Sequence, residues 1–309
     1  MHLAVIGDIH GRFHRVLEWL DTLEKCLETR LDLVLAVGDV EAYADPTRHR
    51  EQAARGAMAP QFCEYADGTR TPGRLVHFIG GNNEDFAALH AHPRGAALPG
   101  GLHYLGRYGT AQLSGVHLAW LSGIHAPRFI DTRLLVPTTP ALNKQAGYFR
   151  RSEVDAMHAA RDVDVMLVHE WPRGLVARVR AEKAGIHRSL RAYRFPWIGN
   201  AITRDVVTSV EPKWLLCGHS HMALATTIEH ASGAATHVAC VDQAARSDGA
   251  VFWMEWSERS ALRAGWGIDG APCWRAGERW DESRTPIAGD DQGEETAKKR
   301  PKKITSRRP

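Results

Sequence analysis

The chain has 309 residues, 44% of them hydrophobic and 24% charged, which is ordinary for a globular protein and enough for one large α/β domain with at most a small appendage. The formal charge of +3 resides at the C-terminus: Lys298, Lys299, Arg300, Lys302, Lys303, Arg307 and Arg308 fall in the last dozen positions, and residues 1–297 carry 32 basic against 36 acidic groups. This balance argues against a basic folded body, and five cysteines without a CxxC pair (Cys26, Cys63, Cys217, Cys240, Cys273) argue against a disulfide scaffold or a thiolate zinc cluster.

His2–Ile6 reads as a short apolar strand ending in Gly7-Asp8. Phe13, Val16, Leu17, Leu20, Leu23 and Leu27 then recur at helical spacing and predict an amphipathic helix. Leu31–Val37 predicts a second strand ending in Gly38-Asp39, and Leu75–Ile79 a third ending in Gly80-Gly81-Asn82-Asn83-Glu84. Helix-like segments are expected around 47–58, and a loop at 67–73. The middle of the chain shows short strands at 102–105, 110–113 and 116–121. Residues 128–145 carry Pro137 and Pro140 without a clear period and read as a long loop. A helix is expected over 152–161 with Ser152 as N-cap. Val163–Val168 predicts a strand ending in His169-Glu170, 201–210 a helix, and Lys213–Cys217 a strand ending in Gly218-His219-Ser220-His221. Strands at 224–230, 236–241 and 251–256 are expected to finish a second sheet. Trp253, Trp256, Trp266, Trp274 and Trp280 are expected to cover its edge. The expected fold is α/β, a two-sheet β-sandwich flanked by helices. Expected boundaries are a domain over 1–258, a Trp/Gly-rich extension over 259–285 and a basic, disordered tail over 286–309.

Five apolar strands thus each end in a polar cluster, and sheets with parallel strands assemble ligand sites at the carboxyl ends of those strands. A single DxH or GHxH is more often a polar strand end than a ligand pair. Five such clusters in order, each at a strand exit, are a different matter. Asp and Asn oxygens with imidazole nitrogens suit Mn, Fe or Zn, and admit Ni. A shared carboxylate can bridge two such ions about 3.5–4 Å apart, the arrangement that clamps a phosphoryl group and generates hydroxide.

The ordered set Asp8-Ile9-His10, Gly38-Asp39, Gly81-Asn82-Asn83-Glu84, His169 and Gly218-His219-Ser220-His221 resembles the calcineurin-like metallophosphoesterase superfamily. The resemblance implies two divalent metal ions, one held by Asp8, His10, Asp39 and His221 and the other by Asp39, Asn82, His169 and His219. More narrowly, Phe78–Asn82, Leu102–Gly106, Leu121–Ile124 and His169-Glu170-Trp171-Pro172-Arg173-Gly174 resemble RNA lariat debranching enzymes, phosphodiesterases that cleave 2′,5′-linked branches. One departure stands out. The family pattern places His after the ligand Asn, and this chain has Asn83, which donates a hydrogen bond but supplies no proton at neutral pH. His125 is the nearest replacement acid the sequence offers, although a loop histidine is more often a surface group. Glu84 and Glu170 are expected to orient ligands rather than act as acids.

Residues 173–197 interleave Arg173, Arg178 and five further basic groups with Tyr193, Phe195 and Trp197, a mixture suited equally to a solvated loop and to single-stranded polynucleotide. Arg128, Arg133 and Lys144 are placed to wall a cleft, and Arg128, Arg173 and Arg178 are the expected substrate-binding cations. The expected function is metal-dependent hydrolysis of a phosphodiester in RNA or a nucleotide-like substrate, by hydroxide bridged between two ions. The alternatives are a phosphomonoesterase for phosphoprotein or small nucleotides, and a catalytically weakened RNA- or protein-binding scaffold. No apolar run approaches the ~20 residues that span a bilayer, so a cytoplasmic protein without a membrane partner is expected, its basic tail available to nucleic acid.

Overall fold

In the computed structural model, residues 1–53, 61–175, 199–281 and 285 are described. Strands β1 (His2–Ile6), β2 (Leu33–Ala36), β3 (Val76–Phe78), β4 (Ala96–Leu98) and β5 (Leu102–Tyr104) join β12 (Val251–Ser257), β13 (Ser260–Trp266) and β14 (Pro272–Arg275) in one sheet, ordered β14-β13-β12-β1-β2-β3-β5-β4. The second sheet runs β10-β11-β9-β8-β7-β6, from β6 (Tyr108–Leu113), β7 (Val116–Leu121), β8 (Val165–Val168), β9 (Trp214–Cys217), β10 (Leu224–Glu229) and β11 (Ala235–Cys240). Within the first sheet β1, β2, β3 and β5 are parallel, and within the second β7, β8, β9 and β11 are.

Alternation of side chains explains why these strands read as unbroken apolar runs. Leu3, Val5, Leu33 and Leu35 point into the core between the sheets, against Leu118, Val165, Leu167 and Leu216. Ala4, Ile6, Val34 and Ala36 point the other way, onto helix α1 (Phe13–Leu27). On the far side Met166, Val168 and Leu215 meet helices α6 (Arg151–Met157) and α7 (Ala201–Val210). Strands buried on both faces have no polar side to show. Each fully buried aliphatic contributes about 1.5–3 kcal/mol, so the two parallel arrays are rigid supports for the loops that leave them.

The structure corrects several expectations. The strand at 251–256 belongs to the first sheet, where β12 pairs antiparallel with β1. The chain crosses over through residues 241–250, pinned by Gly7 N–H to Ala250 O at 2.9 Å and Ala244 N–H to Asp8 O at 3.1 Å. The tryptophans accordingly do not cover an edge of the second sheet. Trp256, Trp266 and Trp274 lie in the core between the sheets and Trp253 on the helical face of the first. The expected boundary at 258 falls in the turn between β12 and β13, and the stretch after it supplies two strands of that sheet.

The segment 128–145 is not loop throughout. Thr139 caps a helix, α5 (Pro140–Ala146), by accepting from Leu142 N, with Pro140 in its first turn. In α6 the cap is Arg150 rather than Ser152, and the Glu153 carboxylate takes the Arg150 N–H at 2.8 Å. Short helices α2 (Pro46–Ala53), α3 (Phe62–Ala66) and α4 (Phe86–Leu89), with a single 3-10 turn at Asp248–Ala250, complete the described elements; residues 54–60, 176–198, 282–284 and 286–309, including Arg178 and the basic tail, lie outside the described residues. No helix among those described is long and apolar enough to cross a membrane.

Candidate metal centre

The exits of β1, β2 and β3 lie side by side in one sheet, and those of β8 and β9 in the other. The two groups are stitched together by hydrogen bonds. His169, after β8, sends its Nδ1 to Val37 O at the end of β2, 2.7 Å away. Asp8, after β1, accepts from His219 N–H at 2.9 Å. The result is one cluster in which Asp8, His10, Asp39 and His221 each offer a ligand atom, all within 4.8 Å of one another. Asp39 is the hub. Its Oδ1 accepts from Asn82 N (2.7 Å) and Asn83 N (2.8 Å), its Oδ2 accepts from Asn83 Nδ2 (2.7 Å), and Oδ1 lies 3.4 Å from His169 Nε2. The His219 ring stands edge-on to His169 with centroids 5.0 Å apart.

Such convergence requires unusual backbone. His10, Asp39, Glu41, His219 and His221 all have positive φ, between 46° and 66°, a region that costs a non-glycine residue on the order of 1–3 kcal/mol and persists only where the surroundings enforce it. Glycine is required beside them for space. A Cβ on Gly81 would stand 2.2 Å from Asp39 Oδ1, and one on Gly218 2.3 Å from Asp8 Oδ2.

The donor set fits a cation. His169 commits Nδ1 to a carbonyl, which can only accept, so Nδ1 carries a proton and the inward-facing Nε2 is the nitrogen whose proton a bound cation would displace. His10 does the same through Nδ1 to Glu41 Oε1 at 2.7 Å, and its Nε2 lies 3.1 Å from His221 Nε2. Asn82 Oδ1 and His169 Nε2 are buried without a hydrogen-bond partner, an arrangement costing about 1–3 kcal/mol per group unless something else satisfies it. In the metal-free protein Asp39 and His169 are an ion pair, whose proton a bound cation would displace. Burial would raise the Asp39 carboxyl, yet His169 and the hydrogen bonds around it hold it well below the usual carboxylate range. Burial would lower the His169 imidazole, but Asp39 beside it raises it to about 10. Its neighbour His219 is lowered to about 4, by burial and then by His169. The centre thus joins an ionised carboxylate to imidazole nitrogens, a donor set that a divalent cation can use.

The surrounding glutamates act on backbone and ligands. Glu84, pushed up to about 7 by burial and by Asp39, accepts from Val40, Glu41 and Gly81 N–H and so ties the second loop to the third. Glu170 accepts from His125 N and Asn200 Nδ2. Glu41 was not legible as a functional residue, although it lies two positions beyond Asp39 and its oxygen fixes the His10 tautomer. Replacing Glu41 by Ala is expected to weaken metal affinity or activity by about 10–100-fold, the usual cost of losing such a partner. Titration of metal into chelator-stripped protein checks it, and unchanged affinity would count against the tautomer argument.

The remaining predicted residues are scattered. His125 is half-buried and stacks on Phe149, and its imidazole is lowered by burial and by Arg151 and Arg173. Among the described residues no hydrogen bond joins it to Asp39, Asn82 or Asn83. Arg128 is exposed in the turn after it, and Arg173 is exposed with its N–H on Asn200 O. Three other guanidinium groups rim the cluster. Arg12 reaches His10 O (3.4 Å), Arg246 reaches His221 O (3.0 Å), and Arg15 reaches Ala244 O (3.1 Å). Dispersed over the sequence, they carry no spacing signal.

A sandwich of two mixed sheets with an Asp/His cluster at its strand exits defines a metallophosphoesterase-type protein. The sequence matches the calcineurin-like phosphoesterase family over residues 1–223, and the chain belongs to that family. It is similar to the lariat debranching enzyme of Drosophila melanogaster, 26% identical over 244 residues that cover 74% of this chain and 44% of the relative. It is likewise similar to that of Entamoeba histolytica, 23% identical over 235 residues covering 71% and 64%. The chain therefore spans less than half the length of most of the curated relatives it matches, and 64% of the Entamoeba protein. Among solved structures, the protein TT1561 of Thermus thermophilus aligns at TM-score 0.46 and 11% identity, covering 86% of this chain and 98% of the other.

Proposed function

We propose that this chain is a metal-dependent phosphodiesterase acting on RNA or a nucleotide-like diester. The observation that carries the reading is the convergence of Asp8, His10, Asp39 and His221 within 4.8 Å, beside the buried, unpartnered Asn82 Oδ1 and His169 Nε2. In this reading Asp8, His10, Asp39 and His221 hold one divalent cation, and Asp39, Asn82, His169 and His219 hold a second. Two such cations, when bound, supply Lewis-acid polarisation of a phosphoryl group and water of lowered pKa. The protein's part is to fix tautomers through Val37 O and Glu41, to hold Asp39 ionised between both ligand sets, and to keep the loops at spacings that only glycine permits. The rim of Arg12, Arg15 and Arg246 supports a substrate longer than one phosphate, because each guanidinium keeps further N–H donors for neighbouring phosphates. The likeness to lariat debranching enzymes favours a branched 2′,5′ diester.

Asn83 favours one other reading, a scaffold that keeps the fold while catalysis has weakened. The intact donor set speaks against it, since a scaffold gives no reason to hold His10, Asp39, His219 and His221 in strained backbone around buried lone pairs. Protein reconstituted with Mn, Fe or Zn is expected to turn over bis-p-nitrophenyl phosphate well in excess of p-nitrophenyl phosphate, and to cleave a 2′,5′-branched oligonucleotide. A preference for the monoester would assign the phosphomonoesterase reading instead. Metal-loaded protein that binds RNA but is inert toward all three would leave the scaffold.

A further inference from the structure

Helix α5 packs beside the centre, clamped to the loop that follows β3. Asn143 uses both ends of its amide there, accepting from Ala87 N at 3.0 Å and donating to Glu84 O at 2.9 Å. Gly147, at the helix end, approaches so closely that a Cβ would lie 3.2 Å from Asn82 Cα. The next residue after Asn143 is Lys144, so its placement follows from that clamp. Lys144 Nζ donates to Asn82 O at 3.2 Å and to Asn83 Oδ1 at 3.3 Å. The Asn83 amide is oriented by its neighbours without ambiguity, because a carboxylate can only accept and an ammonium can only donate. Its Nδ2 faces Asp39 Oδ2 and its Oδ1 faces Lys144.

Lys144 is thus a cation set one side chain away from Asp39 and balanced by no carboxylate of its own. Its two acceptors are a carbonyl and an amide oxygen, and among the described residues it forms no ion pair. Asp39 and Glu41 act on it only at longer range. An ammonium has three N–H donors, two of which are engaged. Among the described residues the third has no acceptor, and the nearest anionic ligand this geometry can receive is one bound over Asp39.

We infer that Lys144 is a phosphate-binding residue of the centre, held by Asn82 O and Asn83 Oδ1 so that its third N–H meets a non-bridging oxygen of the substrate phosphate. The inference rests on the metallophosphoesterase reading and assigns Asn83 a part in it, as the amide that seats the lysine. A histidine at position 83 would present a ring nitrogen there, whereas asparagine presents an oxygen that a lysine can use. The role needs no proton transfer, since a fixed positive charge beside the phosphate opposes the negative charge that grows there during attack.

The test is binding of inorganic phosphate to the metal-loaded full chain, by calorimetry, beside diester turnover. Lys144→Met is expected to weaken phosphate by about 10–100-fold, the worth of one hydrogen bond to a charged group. It is expected to lower kcat for bis-p-nitrophenyl phosphate by about 10²–10³-fold. Metal content stays that of the wild type, and Lys144→Arg recovers much of both losses. Unchanged phosphate affinity in the Met variant, or a loss that merely follows loss of metal, overturns the inference. Wild-type protein that binds phosphate through Lys144 yet hydrolyses no diester would instead remove the hydrolase reading and leave the phosphate contact standing.

Discussion

On the proposed reading, in which Asp39 is shared by two cations, Asp39→Asn is expected to empty the centre of one cation, weaken the other, and reduce diester turnover by well over the roughly 100-fold that outer partners cost. The reason lies in what Asp39 holds. One carboxylate receives Asn82 N–H, Asn83 N–H and Asn83 Nδ2, and lies 3.4 Å from His169 Nε2. An asparagine keeps the shape but turns an NH₂ toward donors that need an acceptor, and removes the charge both ligand sets share. The metal-free protein supplies a second readout. In chelator-treated wild type His169 is raised, against the effect of its burial, from 6.5 to about 10 by Asp39, so the pair's stabilisation is fully present below pH 6.5 and is lost as pH rises toward 10. Asp39→Asn is expected to abolish that alkaline slope. Denaturation of stripped protein at pH 6.5 and pH 10 measures it, with metal counted separately by elemental analysis. Retention of two ions per chain in the variant would refute the shared-ligand assignment.

What the sequence revealed, and what it hid, follows from the physics of each element. Asp8, Asp39, Asn82, His169 and His219 were legible because strands buried on both faces are continuously apolar, and the first polar residue past such a run marks the sheet's edge. Gly7, Gly38, Gly81 and Gly218 punctuate the same exits. The destination of β12 was not legible. Its pattern specifies a buried strand but not a partner, and only the crossover through residues 241–250, anchored at Ala250 O and Asp8 O, sends it beside β1. Helix α5 was hidden by reading Pro137 and Pro140 as breakers, although Pro in a first turn after Thr139 is also a start signal. Without that helix Lys144 was legible only as one cation of a cleft wall, not as the partner of Asn82 O and Asn83 Oδ1. Glu41, likewise, has a role defined only by a side-chain contact 31 residues away from its own position in the chain. The polar residues of the centre announce themselves by where strands stop, whereas the groups that orient them depend on which loops come to face each other.

The same crossover makes Trp274 a second site of large expected effect, this time on stability. Strand β14 pairs with β13, placing Trp274 opposite Ala264 at the end of the first sheet. Its indole reaches across to the second sheet, packing edge-on against Trp214 with centroids 5.0 Å apart and against His237 at 4.9 Å. Trp280 closes over the same group at 6.3 Å. An aromatic so placed joins two layers, and the layers cannot collapse onto its vacancy without bending β9, whose far end carries His219. Trp274→Ala is therefore expected to cost about 3–5 kcal/mol, as for a buried large-to-small change, and to lower Tm by roughly 6–20 °C for a domain of this size. The residues bearing the centre lie at the opposite end of the strands, so metal stoichiometry at saturation is expected to stay that of the wild type. Chemical denaturation of the variant beside the wild type measures the cost. A loss below about 1 kcal/mol, the scale of a surface substitution, would mean that residues 259–281 are a detachable extension. A loss in the expected range makes them part of the wall that holds the two sheets, and through them the ligand loops, in register.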